Sequence, residues 1–173
     1  MGYIALLRAV NVGGTGKLPM SDLKLMCEDI GFQRVRTYIA SGNVLFDSRL
    51  SAAKAKAALE ARLFSYAGKS VGVVIRTVEE MAGVLAHNPF AEMPGNRVVA
   101  IFMDDVLTTA ALSQATGQRD EKIAFGQNLR SAREIYVHYG DGIADSKLKI
   151  AAVKSGTARN KNTVAKLAEL AAA

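Results

Sequence analysis

The chain has no tryptophan, one cysteine, two histidines and three prolines in 173 residues. The lone Cys27 excludes an internal disulfide framework and a cysteine-built zinc cluster. His87 and His138 are too few for most histidine-rich metal sites. No metal site and no cofactor is expected. Long apolar runs are missing too. The longest, "VVAIFM", has a strand's length and falls far short of a membrane span. "YIALL", the run before Arg8, is too short for the apolar core of a signal peptide. Leu6 stands where a myristoylation motif needs serine or threonine. The expectation is a soluble, cytoplasmic protein with no membrane partner.

What is present suffices for a core. Half the residues are apolar, and a chain of this length buries roughly 70% of the surface its unfolded form exposes. The length suits one large domain or two small ones. The net charge of +6 is unevenly placed. From residue 146 onward stand Lys147, Lys149, Lys154, Arg159, Lys161 and Lys166, against the single acid Glu169. Such asymmetry suits an anionic partner, either a phosphorylated small molecule or nucleic acid. A solvated basic face explains the same charges without a partner.

Periodicity gives the elements. "GYIALLRAV" reads as a buried strand, and Pro19 stands near the start of a helix. Leu23, Met26, Cys27 and Ile30 share one face of that helix, which Gly31 ends. "VRTYIA" and "VLFDS" are strands joined by "SGN", a hairpin signal. Ser51 caps a helix over about 52–66, and "VGVVIR" is the next strand. Thr77 and Glu80 then form a capping box for a short helix, which "HNPF" stops. The order β-α-β-β-α-β is that of the ferredoxin-like arrangement. The loop "AEMPGN" reads as a lobe boundary. Beyond it, a strand "RVVAIFM", a weak helix over 107–115 and the strand pair "KIAFG" and "EIYVHY" partly repeat the scheme. Two basic helices are predicted near 145–153 and 161–171. The fold class is therefore α+β, with a ferredoxin-like lobe over 1–90. A second, degenerate α+β lobe with two C-terminal helices spans 96–173.

The segment "RAVNVGGTGK" follows the first strand and invites comparison with phosphate loops. A Walker A loop fails at both ends, with Asn11 where its first glycine belongs and Leu18 after Lys17. The dinucleotide pattern fails at Pro19, where its last glycine belongs. Topology says more than motif. In a split β-α-β the first two strands run parallel, so the loop after strand one and the turn after strand two emerge at one rim of the sheet. Arg8, Asn11, Gly13, Gly14, Lys17, Ser41, Gly42 and Asn43 are then expected to converge, with open glycine amides between cations. The alternative is that the glycines only permit tight turns and Asn43 only tolerates positive φ. Further on, Asn160 or Asn162 caps the last helix. Arg159 stands at its start, where the helix dipole prefers anions, so an anionic partner is expected for it. That partner is either a protein carboxylate or a ligand, and Arg159 and Asn160 join the candidate binding residues.

The stretches "ALLRAVNVGG", "RTYIASGNVLF", "HNPF" and "GTARNKNTVAKL", in this order, resemble the family called domain of unknown function 1697. The resemblance spans almost the whole chain. It implies an α+β fold with ferredoxin-like elements, and no established activity, cofactor or catalytic residue. Lys161 departs from the aromatic or methionine that many members carry after the Arg-Asn pair.

Catalytic patterns are thin. No serine sits in Gly-x-Ser-x-Gly, and Cys27 lies on an apolar helical face. His87 stands at a helix end, His138 alternates with Tyr136 along a strand, and Asp104 and Asp105 suit a turn. The leading reading is a binding protein for an anionic ligand at the glycine loop. If that ligand is nucleic acid, Tyr3, Tyr38 and Phe46 are the stacking candidates. The alternatives are an enzyme acting on a phosphate- or carboxylate-bearing substrate and a protein-interaction scaffold. No oligomeric state follows from the sequence.

Overall fold

A computed structural model describes residues 1–12 and 16–173. The chain is a mixed α+β protein and divides into two compact units, Met1–Met81 with Leu167–Ala173, and Ala82–Lys166.

The first unit runs β1 (Gly2–Leu7), α1 (Met20–Asp29), β2 (Gln33–Tyr38), β3 (Asn43–Asp47), α2 (Ala52–Ala67) and β4 (Val73–Thr77), with α3 (Val78–Ala86) leaving β4. The sheet order is β2-β3-β1-β4 and every neighbouring pair is antiparallel. Tyr3, Ala5 and Leu7 point to one face, where they join Leu23, Met26 and Cys27 of α1 and Ala55, Leu59 and Leu63 of α2 in one core. Ile4 and Leu6 point the other way and are equally inaccessible. Burial on both faces is why "YIALL" reads as an unbroken apolar run rather than an alternation. Phe32 and Phe46 stack at 4.1 Å between ring centroids, a pairing that contributes roughly 0.5–1.5 kcal/mol beyond area burial.

Local signals set the helix ends. The Ser51 side chain accepts from the Lys54 N–H, and Gly68 closes α2 in the left-handed conformation. Thr77 and Glu80 exchange hydrogen bonds of 2.8 and 3.1 Å, the reciprocal capping box. The edge of β4 is covered at its start. The Val73 N–H donates to the Glu60 carboxylate at 3.0 Å, and the Lys56 ammonium, paired with Glu60, donates to the Val73 carbonyl.

The second unit contains β5 (Val98–Thr108), α4 (Thr109–Ser113), β6 (Ala115–Thr116), β7 (Lys122–Ala124), β8 (Ser131–His138), β9 (Lys149–Ile150), a 3-10 turn over Ala151–Val153 and β10 (Thr157–Asn160). The last helix, α5, is Lys161–Ala172. The main sheet has the order β10-β5-β8-β7, again antiparallel, and β6 pairs with β9. Counted within each sheet as first to fourth, both run fourth-first-third-second.

Three expectations need correction. The predicted helix over 145–153 does not form, so one long C-terminal helix stands where two were expected. Lys149 and Ile150 are extended and pair with Thr116 and Ala115, and only a 3-10 turn follows. The alternation Lys-Leu-Lys-Ile is a strand's period, and a partner more than thirty residues away in sequence claims it. Second, Arg159 is not on a helix start but on β10, opposite Ala100. Third, the hairpin turn is wider than "SGN". Tyr38 pairs with Asn43, so Ile39 to Gly42 make the turn, with Ile39 at φ 51° and Gly42 at φ 87°.

Candidate functional site

The chain leaves β1 at a rim where two other segments meet it. The Leu7 N–H donates to the Gly42 carbonyl at 2.8 Å, and the Arg8 N–H donates to the Gly72 carbonyl at 2.9 Å. The exit of β1, the β2–β3 turn and the entry to β4 thus share one end of the sheet. Ala9 and Asn11 then take positive φ, 52° and 54°, values few non-glycine residues adopt.

Asn11 holds the loop that follows. Its Nδ2 donates to the carbonyls of Leu18 and Ala40, both at 2.8 Å, and its Oδ1 accepts from the Leu18 N–H at 2.6 Å. Asn43 does the same for the turn. It is fully buried, and its Nδ2 donates to the Tyr38 carbonyl at 2.9 Å and to the Ser41 hydroxyl at 3.0 Å. Gly42 has no room for a side chain, since a Cβ there would lie 2.6 Å from Val10 and 2.9 Å from Leu7. These bonds of both asparagines run to the protein itself, so the two side chains shape the rim.

The concavity beside them is a cleft of about 710 Å³. Arg8 and Val10 form one wall, Lys17 and Leu18 a second, and Leu63, Tyr66 and Lys69 at the end of α2 a third. Its floor is apolar, because Val10, Leu18 and Leu63 belong to the core of the unit. Its rim carries three cations, Arg8, Lys17 and Lys69, all on exposed residues. The Tyr66 hydroxyl donates to the Asp22 carboxylate at 2.7 Å, which ties the end of α2 to the first turn of α1. That bond, followed by partial burial and the Asp22 charge, holds the phenol above its ordinary range. Tyr66 is therefore a neutral donor at neutral pH. The carbonyl end of α2 disfavours anions, and the three cations offset it.

Arg8 and Lys17 of the predicted set line this cleft together, while Asn11 and Lys17 line an adjoining groove. Ser41, Gly42 and Asn43 lie at the same rim as a closed turn. Gly13 and Gly14 lie outside the described residues. Arg159 and Asn160 belong to the second unit. There the Arg159 guanidinium donates to the Thr157 hydroxyl at 2.7 Å and to the Ala158 carbonyl at 2.9 Å. Burial lowers its pKa to about 10, which leaves it charged at neutral pH. The Asn160 side chain accepts from the Thr163 N–H at 2.8 Å and so caps α5. Lys161 donates to the carbonyls of Ala91 and Met93, both at 2.6 Å.

Sequence reasoning missed Lys69, Tyr66 and Leu63. The signal was available, because a strand antiparallel to β1 must enter where β1 leaves. Tyr3 and Phe46, expected as stacking platforms, are instead buried in the core and unable to meet a base. Cys27 is fully buried, and burial, with Glu28 nearby, pushes its thiol to about 12. His87 Nδ1 lies 2.8 Å from the Gly83 carbonyl, as its helix-end position suggested. Among the described residues no cluster of metal-ligating side chains occurs and no helix is long and apolar enough to cross a membrane.

Fold and cleft together define a two-unit α+β protein with a basic concavity at one sheet rim. The chain belongs to the family described as "Protein of unknown function (DUF1697)", whose model matches residues 1–129. No curated protein matches the chain. The conserved bacterial protein SP0830 from Streptococcus pneumoniae has a similar structure, with a TM-score of 0.78 at 23% identity, covering 99% of this chain and 98% of that one. At that identity the likeness concerns the fold.

Proposed function

We propose that the protein binds a small anionic ligand, phosphorylated or carboxylated, in the cleft between Arg8, Lys17 and Lys69. The observation that carries this reading is three cations from three separate segments lining one concavity over an apolar floor. A volume of about 710 Å³ falls within the range of small-molecule sites, which pair a mostly apolar lining with a few polar groups. Hydrogen bonds to charged groups contribute roughly 1.5–3 kcal/mol each, so two or three cations on one phosphate support measurable affinity. Loss of Tyr3 and Phe46 as stacking platforms favours a small molecule over nucleic acid.

The identical fourth-first-third-second strand order of the two sheets supports reading both as ferredoxin-like lobes, over 1–90 and 96–173. In that reading the cleft occupies the strand-exit rim of the first lobe.

Calorimetric titration with pyrophosphate tests the proposal. The wild-type chain should bind, and Arg8→Glu and Lys17→Glu should each weaken binding at least tenfold with thermal stability unchanged. Binding indifferent to both substitutions would remove the cleft from consideration. Binding of an oligonucleotide with a steep salt dependence, and none of pyrophosphate, would instead favour nucleic acid.

A further inference from the structure

A second groove, of about 690 Å³, adjoins the basic cleft. Gly16, Lys17 and Leu18 line both and form their common wall. Beyond that wall the chemistry changes. Val12, Pro19, Met20 and Ala40 bring no charge, and Val12 is 54% exposed. Asn11 also lines this groove, yet both hydrogens of its amide are committed to the carbonyls of Leu18 and Ala40. Among the described residues the groove therefore offers little to read the polar edge of a nucleobase or a sugar. Apolar surface is what it offers, with Lys17 in its wall and the cleft of Arg8 and Lys69 on the far side of that wall. Lys17 suits the junction, since its aliphatic stem can cover an apolar chain while its ammonium meets an anion.

We infer that the ligand is a single-chain amphiphile. Its anionic head, phosphate or carboxylate, sits among Arg8, Lys17 and Lys69, and its aliphatic tail crosses Leu18 into the groove of Val12, Pro19 and Met20. The inference rests on the anion-binding reading above and adds the class of ligand. It commits to a soluble monomer taken from solution rather than to a bilayer surface. An inorganic anion would fill only the cationic half of this double concavity.

The test is a chain-length series of methyl, butyl, hexyl and octyl phosphate, each below its micelle-forming concentration, titrated calorimetrically into the full chain. Each methylene removed from water should tighten binding about fourfold, until the tail outgrows the groove. Octanoate should follow octyl phosphate, and uncharged octyl glucoside should bind at least tenfold more weakly. Val12→Asp and Ala40→Glu, both at exposed positions, should flatten the series, costing octyl phosphate more than the common electrostatic loss they impose on methyl phosphate and pyrophosphate. If pyrophosphate binds while octyl phosphate binds no tighter than methyl phosphate, the amphiphile is wrong and the anion site stands. If neither pyrophosphate nor any alkyl phosphate binds, both readings fall. A series whose slope survives Val12→Asp and Ala40→Glu overturns the groove assignment. Co-sedimentation with phosphatidylglycerol vesicles without binding of monomeric alkyl phosphates overturns it as well.

Discussion

Asn11 and Leu18 are joined in both directions: the asparagine Nδ2 donates to the leucine carbonyl at 2.8 Å, and its Oδ1 accepts from the leucine N–H at 2.6 Å. A side-chain amide here imitates a strand partner and closes the loop that walls the cleft. Asn11→Asp keeps the size and the acceptor but loses the donor, leaving the carbonyls of Leu18 and Ala40 without this bond. A loss of roughly 1–3 kcal/mol is expected, read by urea unfolding. Pyrophosphate binding should weaken in the same variant because Lys17 is no longer held in place.

Gly42 and Gly68 separate two costs of replacing a glycine. Both have positive φ, 87° and 68°, but a Cβ at Gly42 collides with Val10 and Leu7, whereas one at Gly68 meets nothing within 4 Å. Gly68→Ala should cost only the left-handed backbone term, roughly 1–2 kcal/mol. Gly42→Ala should add an overpacking term of roughly 1–3 kcal/mol. Equal melting temperatures for the two variants would contradict the packing described at the rim.

Cys27 should be inert in the folded chain. With its thiol pushed to about 12 by burial, thiolate at pH 8 is on the order of one part in ten thousand, and only the thiolate is the nucleophile. A thiol-reactive disulfide reagent should label one equivalent in denaturant and almost none without it. Rapid native labelling would mean that the core between α1 and the sheet opens readily.

Glu121 supplies a pH dependence. The Ser146 hydroxyl first, then the Arg119 N–H, lowers its pKa by hydrogen bonding to the carboxylate. A carboxyl depressed by folding contributes stability above its unfolded value, and that contribution disappears as pH falls through its folded value. Ser146→Ala should therefore be less stable than wild type at pH 7, and the gap should narrow in acid. Urea midpoints at pH 7 and in acid check this, and a gap that widens on acidification would refute the assignment.

The local parts of the fold were legible because their causes are local. Ser51 and Thr77 with Glu80 act within one turn of the groups they satisfy, so the starts of α2 and α3 could be read from neighbours in sequence. Leu23, Met26 and Cys27 announced the inner face of α1 by spacing alone. The segment over 145–153 was misread because its structure comes from Ala115 and Thr116, far away along the chain. Ile39 falls within the expected strand "VRTYIA", yet the turn holds it at φ 51°. Backbone pairing between Tyr38 and Asn43 ends the ladder one residue before it.

The sequence by itself determined the order of elements in the first unit, the buried run of β1 and the convergence of two loops at one rim, because strand direction follows from alternating connections. Which polar groups at that rim face outward was decided only by the tertiary structure. An asparagine side chain can serve a ligand or a backbone equally well. At Asn11 the carbonyls of Leu18 and Ala40 claimed the amide, and at Asn43 the Tyr38 carbonyl and the Ser41 hydroxyl did, while Lys69, on a connection with no motif, was carried to the cleft by the entry of β4. Hydrogen-bond satisfaction is settled by what folding brings within 3 Å, and at Asn11 that includes the Ala40 carbonyl, 29 residues away along the chain.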